Sequence, residues 1–193
     1  MFLNNLIRWS GVTVILAGIL LPLDWILGSL SEIPRSNPSI ALGFSGAILL
    51  IFGLMGMYGC QIRESGVIGF LGFVLTVISV CIQMGQTWLP ESGQMVGVAG
   101  VLGPLIGITG FPGYILLGIG SWRGGKLPRW AAVVWPAGYS LSFISMLIFI
   151  AGFAIFDYLV TLGMVIWAVG LIGAGVAMLS VKVEPDVNPM TEG

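Results

Sequence analysis

The distribution of charge along this chain constrains its fold more than any other sequence feature. Charged residues are absent from five long intervals, namely those between Arg35 and Arg63, Glu64 and Glu91, Glu91 and Arg123, Arg129 and Asp157, and Asp157 and Lys182. A sixth interval, Trp9–Leu30, contains only Asp24. Each interval can hold the ~20 apolar residues that cross a bilayer as a helix. The sequence therefore predicts an all-α membrane protein with six transmembrane helices.

The overall composition agrees with this interpretation. The 193 residues are 57% hydrophobic and only 8% charged, whereas about a quarter of the residues in a soluble domain are charged. The net charge of -1 and the lack of a basic stripe argue against a nucleic-acid partner. We expect membrane lipids and other membrane proteins to be its partners.

The charge-free intervals give approximate bounds for six helices. They are Trp9–Leu30, Ile40–Tyr58, Gly66–Leu89, Met95–Ser121, Trp130–Phe153 and Tyr158–Ser180. Short connections make consecutive helices antiparallel neighbours, so we expect three antiparallel hairpins. The transmembrane domain then covers residues 1–181, followed by a polar tail over residues 182–193. We expect the first run to be a retained helix rather than a signal peptide, because it is long and lacks an A-x-A cleavage site.

The basic residues predict the orientation, because cytoplasmic loops of membrane proteins are enriched in Lys and Arg. With both termini in the cytoplasm, six of the seven basic residues lie inside and only Arg35 lies outside. The six are Arg8, Arg63, Arg123, Lys126, Arg129 and Lys182.

A short sequence pattern recurs at the start of each predicted hairpin. Arg8-Trp9-Ser10-Gly11 opens the first, Arg63-Glu64-Ser65-Gly66 the second and, more loosely, Arg129-Trp130-Ala131-Ala132 the third. This is either a parallel three-fold repeat or convergence, since an arginine followed by small residues suits a cytoplasmic helix start.

The fourth helix carries a glycine face. Its glycines recur every three or four residues, at Gly100, Gly103, Gly107, Gly110 and Gly113. Small residues let helices approach closely in a membrane. The face therefore either packs inside the bundle or docks another protein, and Pro104 and Pro112 should kink the helix.

Asp24 is the only acidic residue inside a predicted span. It is either a carboxylate that reaches water near the outer surface or part of a cation or proton site, because ionisable groups within membranes usually have a function. Gln83 and Gln86 are the only polar candidates at a similar depth that would complete such a site.

Two further polar segments have both a structural and a functional interpretation. The loop with Arg123, Lys126 and Arg129 either anchors the topology or binds anionic lipid headgroups or a partner's acidic loop. The hydroxyl groups of 139–145 either satisfy the backbone carbonyl that Pro136 frees or line a polar pocket.

No pattern indicates an enzyme, a metal site or a cofactor. The chain has no histidine, which removes the commonest general base and haem ligand. Its two cysteines, Cys60 and Cys81, have no metal-binding spacing and are not expected to form a disulfide.

One motif supports a resemblance. Leu116–Arg123, followed by Leu127-Pro128-Arg129-Trp130, resembles uncharacterised small bacterial membrane proteins of Chloroflexota and actinobacteria, in which one helix ends in L-W-R and the next follows L-P-R-W. Here Ser121 stands in place of the leucine. The resemblance implies a six-helix protein of the bacterial inner membrane and assigns no active-site residue.

Two functions fit these patterns. The first is a non-enzymatic accessory subunit that packs its glycine face and its termini against a larger inner-membrane assembly, for which we expect an electron-transport or photosynthetic complex. The second is a small transporter or channel for a lipid, quinone or other apolar molecule. A cavity lined by Asp24, Gln83 and Gln86 would favour the transporter, and a solid core with the Gly100–Gly113 face touching another chain would favour the subunit.

Overall fold

The computed structural model describes residues 2–30, 37–87, 96–150 and 156–181, and these ranges contain six helices. The helices are α1 (Phe2–Leu30), α2 (Asn37–Gly59), α3 (Ile62–Thr87), α4 (Val96–Gly124), α5 (Arg129–Ile150) and α6 (Phe156–Ser180). The tail over residues 182–193 and the basic residue Arg35 lie outside the described residues. The predicted all-helical fold is confirmed.

Five of the helices, α1 to α4 and α6, are long and apolar enough to cross a membrane. The fifth helix of the chain, α5, has a comparable length of 22 residues. The predicted connection between α2 and α3 was too long, since only Cys60 and Gln61 separate the two helices. The Gln61 carbonyl oxygen accepts hydrogen bonds from the Glu64 and Ser65 N–H groups, so the chain enters α3 directly after the turn.

Gly66 interrupts α3 near its start. Its backbone angles, φ 57° and ψ -156°, are not helical, so α3 consists of a first turn and a long segment joined at a kink. A residue with a side chain rarely adopts this conformation, which explains why glycine stands here. By contrast, α4 extends as one helix through both Pro104 and Pro112.

The six helices form a closed ring. Each helix packs against the next in sequence, and α1 also packs against α6. The packing is tightest within the three pairs α1/α2, α3/α4 and α5/α6, as the hairpin prediction requires. Neighbours are antiparallel. In α3/α4, for example, Gly113 lies against Thr76 and Gly120, seven residues later, against Gly69.

The three hairpins share one packing register. Six residues after Arg8, Arg63 and Arg129 stand Val14, Gly69 and Trp135, respectively. Each of these three residues contacts a glycine on the second helix of its hairpin, namely Gly53, Gly120 and Gly170. The contacts recur seven residues further along, where Leu21, Thr76 and Ser142 meet Gly46, Gly113 and Gly163. The sequence pattern at the hairpin starts therefore coincides with equivalent positions in the structure, as a three-fold repeat requires.

Large side chains fill the centre of the ring. Leu50, Leu54 and Leu171 are each at most 1% exposed and belong to one continuous hydrophobic cluster with Trp135 and Tyr114. In addition, α2 contacts both α4 and α6 across the centre. The described helices therefore share one buried hydrophobic cluster, and α2 reaches across the ring to α4 and α6.

Candidate functional site

Asp24 lies at the end of α1 and pairs with the start of α2. The Ser39 hydroxyl donates a 2.5 Å hydrogen bond to Asp24 Oδ1. Gly43, one turn further along α2, leaves room for the carboxylate, because a Cβ at that position would lie 2.5 Å from Asp24 Oδ2. Asp24 is half-buried and Ser39 is buried. This hydrogen bond joins the end of α1 to the start of α2.

Gln83 belongs to a different polar cluster, on the far side of the ring. Its side chain and that of Ser79 lie within hydrogen-bonding reach of the Tyr139 hydroxyl. The Ile106 carbonyl oxygen of α4 accepts hydrogen bonds from Ser79 Oγ at 3.2 Å and from Tyr139 at 3.5 Å. The cluster connects α3, α4 and α5 at mid-helix, and such hydrogen bonds between helices stabilise membrane bundles.

The structure does not bring the three predicted polar residues together. Helix α1, which carries Asp24, makes no contact with α3, which carries Gln83 and Gln86, in the described parts of either helix. Gln86 is half-buried near the end of α3. Asp24 therefore makes no direct contact with the two glutamines in the described part of the chain.

The glycine face of α4 packs against neighbouring helices from Gly107 to Gly113. A Cβ on Gly113 would lie 2.7 Å from the Thr76 backbone nitrogen of α3. Gly110 leaves room for the Ser79 and Tyr139 hydroxyls, and Gly107 for the Phe143 ring. Gly103 is half-buried, and Gly100 also lies within α4. Neighbouring helices of the same chain thus already occupy three of the five glycine positions.

The hydroxyls that follow Pro136 do not satisfy the carbonyl that this proline frees, which is that of Ala132. Ser145 Oγ donates to the Leu141 oxygen at 2.6 Å, one turn back along α5. Ser142 Oγ donates to the Gly138 oxygen at 3.2 Å and, across the helix boundary, to the Val160 oxygen at 3.4 Å. Our expectation that they repair the Pro136 break was wrong in detail, because serine bonds most easily to carbonyls three or four residues earlier.

An aromatic cluster in the core was not predicted from the sequence. The Tyr114 ring stacks on Tyr139 at a centroid distance of 4.0 Å and meets the edges of Trp135 and Trp167 at 5.6 and 6.3 Å. Both indole N–H groups are buried and have no hydrogen-bond partner within the described residues. The rings come from three different helices, so the spacing of aromatic residues along the sequence does not predict the cluster.

The three cations of the α4–α5 loop have different surroundings. Lys126 Nζ lies 3.6 Å from Glu64 Oε1, which links the loop to the start of α3. The Arg129 guanidinium lies 5.8 Å from the centroid of the Trp122 ring, within the range of a cation–π contact. Arg123 is exposed and has no ion pair among the described residues. Two of the three cations therefore already interact with side chains of this protein. Within the described part of the chain, Arg123 is the cation without such an interaction.

A groove with a volume of about 380 Å³ lies between α4 and α5 beside this loop. Its wall on α4 includes Ile115, Ile119, Trp122 and Arg123. Its wall on α5 includes Val133 and Ala137. The groove exists because α4 and α5 pack less extensively than the helices within each hairpin.

The chain matches no known protein family, no curated protein and no solved structure.

Proposed function

We propose that this chain is a non-catalytic accessory subunit of a larger membrane assembly. The observation that carries the proposal is the buried hydrophobic core. Leu54, Leu171 and Tyr114 are each at most 1% exposed, and α2 contacts α4 and α6 across the ring. A bundle filled in this way offers its outer surface, rather than an internal route, for its function.

The proposal includes a six-span topology with both termini in the cytoplasm of a bacterium. The alternating helices bring Arg8, Arg63 and the three cations of the α4–α5 loop to one end of the bundle. Trp9, Trp122 and Trp130 lie exposed at the same end, as interfacial tryptophans do. Positive residues favour the cytoplasmic side, which supports this orientation. In this topology α5 is the sixth span.

A photo-crosslinking scan in the native membrane tests the accessory role. A photoreactive amino acid is placed at one exposed apolar position per helix, namely Ile19, Phe52, Ile78, Ile108, Val133 and Val169. The buried Leu54 serves as the matched control, because no external protein can reach it. If the chain is a subunit, we expect the same protein adduct from adjacent helices on one side of the bundle and none from Leu54. Adducts with lipid alone at every position would contradict the proposal.

The class of assembly is tested by the identity of that adduct. We would look first for an electron-transport or photosynthetic complex. The alternative of a transporter gains support only if the purified chain in proteoliposomes moves an apolar solute, and Asp24→Asn abolishes that movement.

A further inference from the structure

The groove between α4 and α5 is about as long as one leaflet of a bilayer is deep. From Ile115 to Arg123 it follows α4 for eight residues, or about 12 Å at ~1.5 Å per residue. The hydrocarbon of one leaflet is about 15 Å deep, half of the ~30 Å core. The groove therefore covers most of the depth of the leaflet that adjoins the basic end.

The lining of the groove changes in character along its length. Its wall is mostly apolar, with Ser140 at the deep end on α5, whereas Trp122 and Arg123 stand at the end nearest the α4–α5 loop. An indole and a guanidinium at this level suit the boundary between acyl chains and headgroups. The ligand that fits is apolar along most of its length and negatively charged at one end.

Arg123 is the residue whose charge is available to such a ligand. Lys126 is paired with Glu64, and the Arg129 guanidinium lies over the Trp122 ring. Arg123 lines the groove itself and forms no ion pair within the described part of the chain. A phosphate group in the groove would therefore supply the anionic partner that Arg123 lacks within the described part of the chain.

We propose that the α4–α5 groove is a binding site for an anionic phospholipid, with one acyl chain between Ile119 and Val133 and the headgroup phosphate at Arg123. Basic pockets between membrane helices are known to hold anionic headgroups. The inference does not rest on the proposed accessory role, because it concerns a lipid site that the isolated chain carries.

The test is native mass spectrometry of the delipidated, full-length protein in detergent during titration with phosphatidylglycerol or phosphatidylcholine. We expect one phosphatidylglycerol to bind before any other lipid and at least about fivefold more tightly than phosphatidylcholine, as about one cation–headgroup interaction predicts. Inorganic phosphate should not compete, because the acyl chain supplies the rest of the binding. Equal affinity for both lipids, or displacement by phosphate, would overturn the proposal.

Two pairs of variants locate the site. Arg123→Gln removes the headgroup partner, and Lys126→Gln is its matched control because it removes a neighbouring cation that is already paired. Ala137→Phe fills the groove, and Val169→Phe adds the same bulk at an exposed position of α6.

We expect Arg123→Gln and Ala137→Phe each to weaken phosphatidylglycerol binding about fivefold or more, and both controls to stay within about twofold of the unmodified protein. Thermal unfolding of all four variants shows whether each is folded. Folded variants in which Arg123→Gln and Lys126→Gln weaken binding equally would assign the effect to general charge and overturn the site. If Ala137→Phe does not fold, the comparison of Arg123→Gln with Lys126→Gln alone decides whether the site is correct.

Discussion

Gly120 of α4 lies so close to Gly69 of α3 that a Cβ at position 120 would stand 2.6 Å from the Gly69 Cα atom. The backbones of the two helices are therefore in direct contact. Equivalent contacts join Gly53 to Val14 and Gly170 to Trp135. In a bilayer, where lipid chains are as apolar as leucine, such close packing is a main source of helix association.

Gly120→Ala should destabilise the protein, because the added methyl group meets backbone that cannot turn aside. We expect the free energy of unfolding to fall by about 1–3 kcal/mol, the usual cost of overpacking. Gly85→Ala is the matched control, since a Cβ there has no neighbour within 4 Å. It should leave stability unchanged or raise it by about 0.5–1 kcal/mol through helix propensity. Unfolding in mixed detergent measures both, and equal losses would show that the α3/α4 contact is not tight.

Gly66→Ala separates backbone strain from steric overlap. A Cβ at Gly66 also has no neighbour within 4 Å, but the residue has φ +57°. We expect a loss of about 1–3 kcal/mol in the free energy of unfolding, the usual cost of holding a residue with a side chain in this region.

The control for Gly66→Ala is Gly59→Ala, at the end of α2. Gly59 has equal space around it and no positive φ. Both variants are compared by thermal unfolding monitored through tryptophan fluorescence. If Gly66→Ala were as stable as Gly59→Ala, the kink at the start of α3 would not be a feature of the folded protein.

Asp24 and Ser39 should be energetically coupled through their 2.5 Å hydrogen bond. In a double-mutant cycle with Asp24→Ala and Ser39→Ala, we expect a coupling energy of about 1.5–3 kcal/mol, the range for a hydrogen bond to a charged group. A cycle between Asp24→Ala and Gln83→Ala should give less than about 0.5 kcal/mol, because the two sites share no contact. Strong coupling of Asp24 to Gln83 would instead support the hypothesis that the two residues belong to one polar transport site.

Cys60 should react slowly with alkylating reagents at neutral pH. Burial raises the pKa of its thiol from its ordinary value of 9.0 to about 11. Because the thiolate is the reactive form, only about one thiol in a thousand is reactive at pH 8. In a Cys81→Ala background, the alkylation rate should rise about tenfold per pH unit up to pH 10. A plateau near pH 9, as expected for the unfolded chain, would show that Cys60 is not buried.

The sequence was sufficient to predict the helices and their pairing into hairpins. Arg129 and Lys126 mark the start of α5, and the charge-free interval before Arg123 predicts α4. The charge-free intervals gave less accurate helix bounds where a helix extends beyond the membrane. Helix α1, for example, begins at Phe2 rather than at Trp9. Hydropathy locates the point where the chain enters the bilayer and not the residue at which the helix begins.

The polar sites were less predictable than the helices. Asp24, Gln83 and Gln86 have similar depths, and depth is all that a one-dimensional pattern gives. The closure of the ring by α1 and α6 decides which helices are neighbours, and it places α1 away from α3. Likewise, the glycine face of α4 was found, but its spacing does not reveal whether Thr76 and Phe143 or another protein occupies it.

The most direct test of the accessory role is the mass and composition of the native particle. The tagged protein is extracted in a mild detergent at its natural expression level, separated on a native gel and analysed by mass spectrometry. We predict a particle much larger than the 20.4 kDa chain, with other membrane subunits present in fixed stoichiometry. A particle that contains only this chain and lipid would contradict the account.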